Sequence, residues 1–339
     1  MKLFYPEHSP RLKALLPKFS GRKLAVVGHA RPDGDCIGSQ VGLTRVLCAL
    51  GYDAVCVNAD PVPRRLQFLT QEMTFLRTDD ILPVAEDYAA IFVDCADGAR
   101  CGSRLQAAFP QPVAIFDHHI SNNGFSDHDF IDTGSAATAE ILAGMFFDLG
   151  FPVDTVAAQA LYTGILTDTG QFRFPSTSRR TFLLAAELLA RGAQPSEAGF
   201  ELYERETIGK LRLLETFLKS LKLECAGQLC VGHLPRGIFA ATDSTAEDTE
   251  GLVDYARSIE GVDVGALIEE RDDGTLKASL RSKNPAYRLD RIAGLFNGGG
   301  HACAAGLSLT MEFNEFYPKL VEAITRQIAK VNTGMATES

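Results

Sequence analysis

The chain lacks any apolar run approaching the ~18 residues a membrane-spanning helix needs, and Met1 to Arg11 contains no apolar stretch of the kind that opens a secretory signal. These absences predict a cytoplasmic protein with no membrane partner. Its eight cysteines, Cys36, Cys48, Cys56, Cys95, Cys101, Cys225, Cys230 and Cys303, form no CxxC pair and no zinc-finger spacing. Reduced core thiols are expected rather than disulfides or structural zinc. Basic residues are also scarce, 33 Lys and Arg against 43 Asp and Glu, for a formal charge of -10. Proteins that coat long nucleic acid neutralise many phosphates with Lys and Arg, so that class is excluded. A small anionic substrate, met by a few local cations and metal ions, is not.

The 339 residues, 46% apolar and 22% charged, have an ordinary globular composition, without repeats or low-complexity segments, and suffice for two domains. Disorder is expected only at the ends, for example in the polar tail Asn332 to Ser339. The first half alternates apolar strands (Leu24 to Val27, Ala54 to Val57, Ala90 to Val93, Val113 to Phe116) with helical patterns, the first from about Gly38 to Leu50 and later ones over Thr138 to Leu149, Thr155 to Thr167 and Ser178 to Ala190. This pattern predicts an α/β fold, a mostly parallel sheet with helices on both faces. A charged helical linker, Ser196 to Leu221, leads to a smaller α+β domain. There, strand candidates at Cys230 to Leu234, Val264 to Glu269 and Leu276 to Arg281 precede a glycine-rich turn and a last helix from about Asn314 to Lys330.

Three of the four early strands run into acids or histidines: His29 with Asp33 and Asp35, then Asp94, then Asp117-His118-His119. Each has an ordinary explanation taken singly. Asp33 and Asp35 suit a turn and a helix cap, Asp94 a loop, and a lone histidine a satisfied core position. Their coincidence on successive strands argues against those explanations, because the carboxyl ends of neighbouring parallel strands border one crevice. Asp168 joins them, since an acid at a helix C-terminus opposes the helix dipole unless a cation lies nearby. Five carboxylates and three imidazoles without a thiolate suit manganese, magnesium or cobalt better than structural zinc. Two such ions bridged by one carboxylate relieve the crowding of acids, and a metal pair of this kind serves displacement at phosphorus through an activated water.

In the second domain Asn297-Gly298-Gly299-Gly300-His301 precedes a run of small residues. The glycines allow close backbone approach to an anion, and the small residues suit a helix packed behind the loop. With His301 and the basic pair Arg281 and Lys283, phosphate or nucleotide binding is expected here rather than a plain flexible loop.

Together these residues resemble the DHH–DHHA1 phosphoesterases of the nano-RNase type. The matching motifs are His29-x3-Asp33-Gly34-Asp35-x2-Gly38-Ser39, Asp94, Asp117-His118-His119, Thr167-Asp168-Thr169-Gly170, Arg281-Ser282 and Gly298-Gly299-Gly300-His301-x3-Ala305-Gly306. The resemblance covers nearly the whole chain and implies a DHH catalytic domain over 1–195, a helical linker over 196–222 and a DHHA1 substrate-binding domain over 223–332. It implies two divalent ions, manganese first, with His29, Asp33 and Asp94 on one and Asp35, Asp94, His118 and Asp168 on the other. His119 would face the scissile phosphate, Asp117 would orient an imidazole, and Arg281, Lys283, Gly298, Gly299, Gly300 and His301 would hold the nucleotide. The implied substrates are very short RNA, dinucleotides and pAp (adenosine 3′,5′-bisphosphate), and the implied assembly is a homodimer. Cleavage of cyclic or linear dinucleotide messengers is the alternative. A pyrophosphatase, a RecJ-like exonuclease and a non-catalytic nucleotide sensor fit less well.

Overall fold

The computed structural model describes residues 3–70 and 72–334; the last five residues of the polar tail lie outside it. The chain divides into two compact units, Met1–Arg205 and Glu206–Ser339. The stretch 196–222, expected as a separate linker, is shared between them. Residues 206–222 belong to the second unit, where helix Ile208–Ser220 buries Leu213 and Phe217.

The first unit is built on β1 (Lys23–Val27), β2 (Asp53–Asn58), β3 (Phe75–Arg77), β4 (Tyr88–Val93), β5 (Ala114–Asp117) and β6 (Asp129–Ile131). They pair in the order β3-β2-β1-β4-β5-β6, every pair parallel. Alternate side chains pack on opposite faces. Leu24, Val26, Ile91, Val93, Ala114 and Phe116 join one core, while Ala25, Val27, Ala90, Phe92 and Ile115 join another. Burial on both faces is why these strands read as continuous apolar runs. The two layers are unequal: one face carries α1 (Gly34–Ala49), α2 (Thr138–Leu149) and α3 (Thr155–Asp168), while the other is covered by short helices supplying Ile81, Cys101, Leu105 and Phe109.

Helix α1 starts at Gly34, four residues earlier than the periodicity predicts. Asp33 is its cap, its Oδ1 accepting from the N–H groups of Asp35 and Cys36, each at 3.1 Å, and this offsets the poor helix propensity of Gly34. Helices α1 and α3 cross in close contact. A Cβ on Gly164 would stand 2.7 Å from the Ala139 side chain and 3.0 Å from an Asp35 oxygen, so glycine here lets the helix carrying Asp168 approach the others.

The second unit contains β7 (Lys222–Glu224), β8 (Leu229–Leu234), β9 (Val264–Glu270), β10 (Thr275–Ser282), β11 (Gly299–His301) and β12 (Ala304–Thr310). Their order is β11-β12-β10-β9-β8-β7, with only β8 and β9 parallel. Helix Phe313–Asn332 covers one face through Phe316, Leu320, Ile324 and Ile328, one residue per turn. The helix expected behind the glycine loop is not there. Gly299–His301 and Ala304–Thr310 form an antiparallel hairpin instead. Gly300 has φ 139 and a Cβ on it would crowd the Ala304 carbonyl and Ala305, so the glycines serve close strand pairing.

All eight cysteines are free, with Cys36, Cys56, Cys95, Cys101 and Cys230 buried. Among the described residues no helix is long and apolar enough to cross a membrane.

Candidate metal centre and phosphate-binding face

The strand order reverses beside β1, where the chain leaves for β2 and β3 on one side and returns to β4 and β5 on the other. Such a reversal opens a crevice at the carboxyl ends of the strands. Every polar residue singled out after β1, β4 and β5 lies at that edge.

His29 is 3% exposed, and its Nδ1–H donates to the Ala30 carbonyl at 2.9 Å. That bond turns Nε2 toward Asp33 Oδ1 at 3.6 Å and Asp94 Oδ2 at 3.4 Å. Asp94 takes a left-handed φ of 57 just past β4, a conformation aspartate tolerates better than most residues. The other Asp94 oxygen lies 3.6 Å from His118 Nε2 and 3.7 Å from His119 Nδ1. His118 Nε2 also faces Asp168 Oδ2 at 3.1 Å and Asp35 Oδ2 at 4.0 Å. Three groups therefore offer ligand atoms within 4.8 Å of one another: His29, Asp33 and Asp94; Asp35, His118 and Asp168; and Asp94, His118 and His119. Asp94 is common to two of them.

Most of these separations are too long for good hydrogen bonds. They fit donors arranged around a shared cation, because neighbouring ligands at about 2.1 Å from one ion stand about 3 Å apart or more. Protonation before a cation binds points the same way. Burial alone would lower the His118 pKa, yet Asp168, Asp94 and Asp35 push it up to about 11. Asp168 is raised to about 6 by burial and by repulsion from Asp33 and Asp94, with His118 opposing. Asp35 is pushed well up by burial and by Asp94 and Asp168. A buried cluster that gathers protons so strongly is short of positive charge.

Two supporting residues, Thr138 and Asn122, are absent from the sequence-based expectations for the site. Asp35 is fully buried and takes the N–H of Thr138 at 2.7 Å and of Ala139 at 2.9 Å, while the Thr138 hydroxyl donates to Asp94 Oδ1 at 3.1 Å. Ala137, at the cap of α2, has only a methyl group and cannot cap, so the Asp35 carboxylate does that work across the fold. Asn122 donates to Asp117 Oδ2 at 2.7 Å and to the Cys95 carbonyl at 3.1 Å. Asp117 Oδ1 in turn takes the Nδ1–H of His119 at 2.7 Å. The missing cap at Ala137 was the one available hint for Thr138.

In the second unit, Arg281 pairs with Ala304, and Ala304 with His301. Directly opposed residues in antiparallel strands share a face, so Arg281 and His301 flank one small side chain on the same surface. Lys283 points its ammonium elsewhere, to the Ile259 carbonyl at 3.1 Å.

Known proteins share these two domains. The model of the DHH family N-terminal domain matches residues 23–165, and that of the DHHA1 domain matches residues 234–330. The class is thus that of the DHH phosphoesterases, hydrolytic enzymes. A bifunctional oligoribonuclease and PAP phosphatase from Thermus thermophilus is 34% identical over 94% of this chain and 94% of its own, and its Bacillus subtilis counterpart is 28% identical over 83% and 87%. The chain belongs to the NrnA family of DHH–DHHA1 proteins. An exopolyphosphatase-related protein from Bacteroides fragilis shares the fold at TM-score 0.86 and 24% identity, over 98% of both chains. Thermus thermophilus RecJ, solved with Mn2+, has TM-score 0.58 at 15% identity, covering 97% of this chain and 56% of RecJ.

Proposed function

We propose that this chain hydrolyses very short oligoribonucleotides, dinucleotides included, to nucleoside monophosphates and removes a phosphate from pAp to give AMP. The observation that carries the reading is Asp94, whose two oxygens face different donor groups, His29 on one side and His118 on the other. That is the arrangement a bridging carboxylate between two ions requires. His29 and Asp33 complete one side; Asp35, His118 and Asp168 complete the other.

Divalent ions held there, manganese before magnesium or cobalt, would supply charge for the phosphate oxygens and lower the pKa of water. The remaining chemistry belongs to side chains. His119 holds its Nδ1 proton against Asp117, and a nitrogen committed to that bond is a poor ligand. The bond turns Nε2 away from Asp117, suiting it to meet the phosphate and hand a proton to the departing oxygen. Asn122 keeps Asp117 in place for this. Arg281, His301 and the hairpin of Gly298, Gly299 and Gly300 would bind the substrate's other phosphate or its base, Arg281 bidentately.

The reading includes a cytoplasmic location, supported by eight unpaired cysteines. It also includes a homodimer, which rests on the family resemblance. Long nucleic acid is no substrate on charge grounds. Turnover of a dinucleotide and of pAp by purified protein with manganese is the test; absence of both activities would refute the reading.

A further inference from the structure

The sheet edge that carries the candidate metal centre also borders a cavity to which the reaction above gives no role. About 450 Å³ in volume, it lies at the carboxyl ends of β2 and β3, where Asn58, Asp60, Gln67, Thr70, Phe75 and Arg77 contribute to its walls. Asn58 is the last residue of β2 and is 1% exposed. Among the described residues neither its Oδ1 nor its Nδ2 has a hydrogen-bond partner. Buried amides are almost always satisfied, and an orphaned one is a standing cost that any well-packed apolar residue would avoid. An unpartnered amide in a residue that lines a cavity points to a partner that arrives from outside.

Position says what that partner is joined to. The Asp60 carboxylate accepts the N–H of Arg31 at 2.7 Å, which ties the cavity wall to the loop holding His29 and Asp33. Arg31 has a left-handed φ of 55, a conformation held against its intrinsic preference, as is common beside functional sites. Parallel strands lie about 4.8 Å apart, so β2 and β3 stand about 5 and 10 Å from β1, an offset comparable to one nucleotide unit.

We propose that this cavity is the subsite for the nucleoside that keeps the scissile phosphate on its 5′-oxygen, the second nucleotide of a dinucleotide. The Asn58 amide offers a donor and an acceptor side by side, the pattern that pairs with a nucleobase edge, adenine above all. Phe75 gives the base an aromatic surface. Gln67 and Thr70 supply polar groups for ribose, and Arg77, fixed by its bond to the Ala59 carbonyl at 2.9 Å, sits on the same wall. The proposal rests on the phosphoesterase reading. It adds a distinction within it, because pAp carries no second nucleoside and leaves this subsite empty.

The experiment compares kcat/KM for the dinucleotide pApA with that for pAp in wild type, Asn58→Ala, Asn58→Leu and Gln67→Ala, alongside thermal melting. The ratio of dinucleotide to pAp efficiency falls about tenfold in the Asn58 variants, the loss expected for one neutral hydrogen-bonded pair, and the fall lies in KM. Melting temperature does not drop for Asn58→Ala, since the amide satisfies nothing in the protein. An unchanged ratio in both Asn58 variants overturns the proposal and leaves the amide holding a buried water only. Should wild type turn over neither substrate, the phosphoesterase reading fails, and the subsite is judged by binding of AMP in EDTA. Weaker binding by Asn58→Ala then upholds it and equal binding overturns it.

Discussion

The carboxylate of Asp35 accepts a 2.7 Å hydrogen bond from the backbone N–H of Thr138, 103 residues further along the chain. Helix α2 therefore begins on the Asp35 carboxylate, and the same Thr138 sends its hydroxyl to Asp94. One residue thus orients carboxylates from both halves of the cluster. Removing the hydroxyl with Thr138→Val keeps the backbone bond to Asp35 and frees Asp94 to rotate. A loss of kcat of about 10- to 100-fold is expected, the range seen when groups behind metal ligands are lost, with recovery in Thr138→Ser. Steady-state kinetics at saturating manganese checks this; equal loss in the serine and valine variants would mean the hydroxyl does not orient Asp94.

The two histidines of the triplet are not interchangeable. His118 Nε2 faces three carboxylates, whereas His119 spends Nδ1 on Asp117. His118→Ala should lose bound metal, and His119→Ala should keep it while losing turnover. Asp94→Asn replaces the shared carboxylate by a neutral amide and should cost activity at least ~100-fold. Metal content by elemental analysis, read beside kcat, separates these cases. Equal metal loss in the two histidine variants would reverse the division of roles between them.

Metal binding should release protons. Before a cation binds, burial disfavours the charged His118 imidazole, but Asp168, Asp94 and Asp35 outweigh it and raise its pKa to about 11. The imidazole is then protonated at neutral pH, and a metal must displace that proton to reach the nitrogen. Raising the pH removes the competitor, so manganese affinity rises, by about tenfold per unit for one displaced proton. Below about 6 Asp168 takes up a proton as well, and affinity falls more steeply. Calorimetric titration in two buffers of different ionisation enthalpy measures the protons released, and a count of zero would contradict the cluster's electrostatics.

The core strands and the residues at their ends were legible in the sequence for one physical reason. A strand buried on both faces is a continuous apolar run, and the acid or histidine that stops it stands out. Asp33 shows that the ordinary and the functional explanation are compatible, since it caps α1 and also faces His29. The hairpin of β11 and β12 was misread because glycine and alanine carry little periodicity, so Ala302 to Gly306 fitted a helix as well as a strand. Thr138 and Asn122 were missed because their partners, Asp94 and Asp117, lie on other elements; only the packed fold distinguishes them from surface polar residues. Asn58 was hidden for the same reason, its oddity being the lack of a partner.

Arg180 anchors the helix on which Asp35 depends. Its Nε bonds Glu140 Oε1 at 2.8 Å and its Nη2 reaches Asp132 at 3.1 Å, while Glu140 is fully buried two residues beyond Thr138. Glu140 also accepts from the Thr181 hydroxyl at 2.8 Å and the Ala136 N–H at 3.2 Å. Arg180→Ala leaves that carboxylate buried without its cation and should destabilise the unit by about 3 kcal/mol, the lower end of the usual cost because Arg180 is partly exposed. Urea denaturation followed by circular dichroism measures it. The double variant Arg180→Met with Glu140→Gln removes both charges while a glutamine oxygen can still accept from Thr181, so most of the loss should return. If the double variant is as unstable as Arg180→Ala, the cost lies in lost packing of the arginine stem, which stacks its guanidinium 4.5 Å from the Tyr5 ring, and the stranded charge is not the cause.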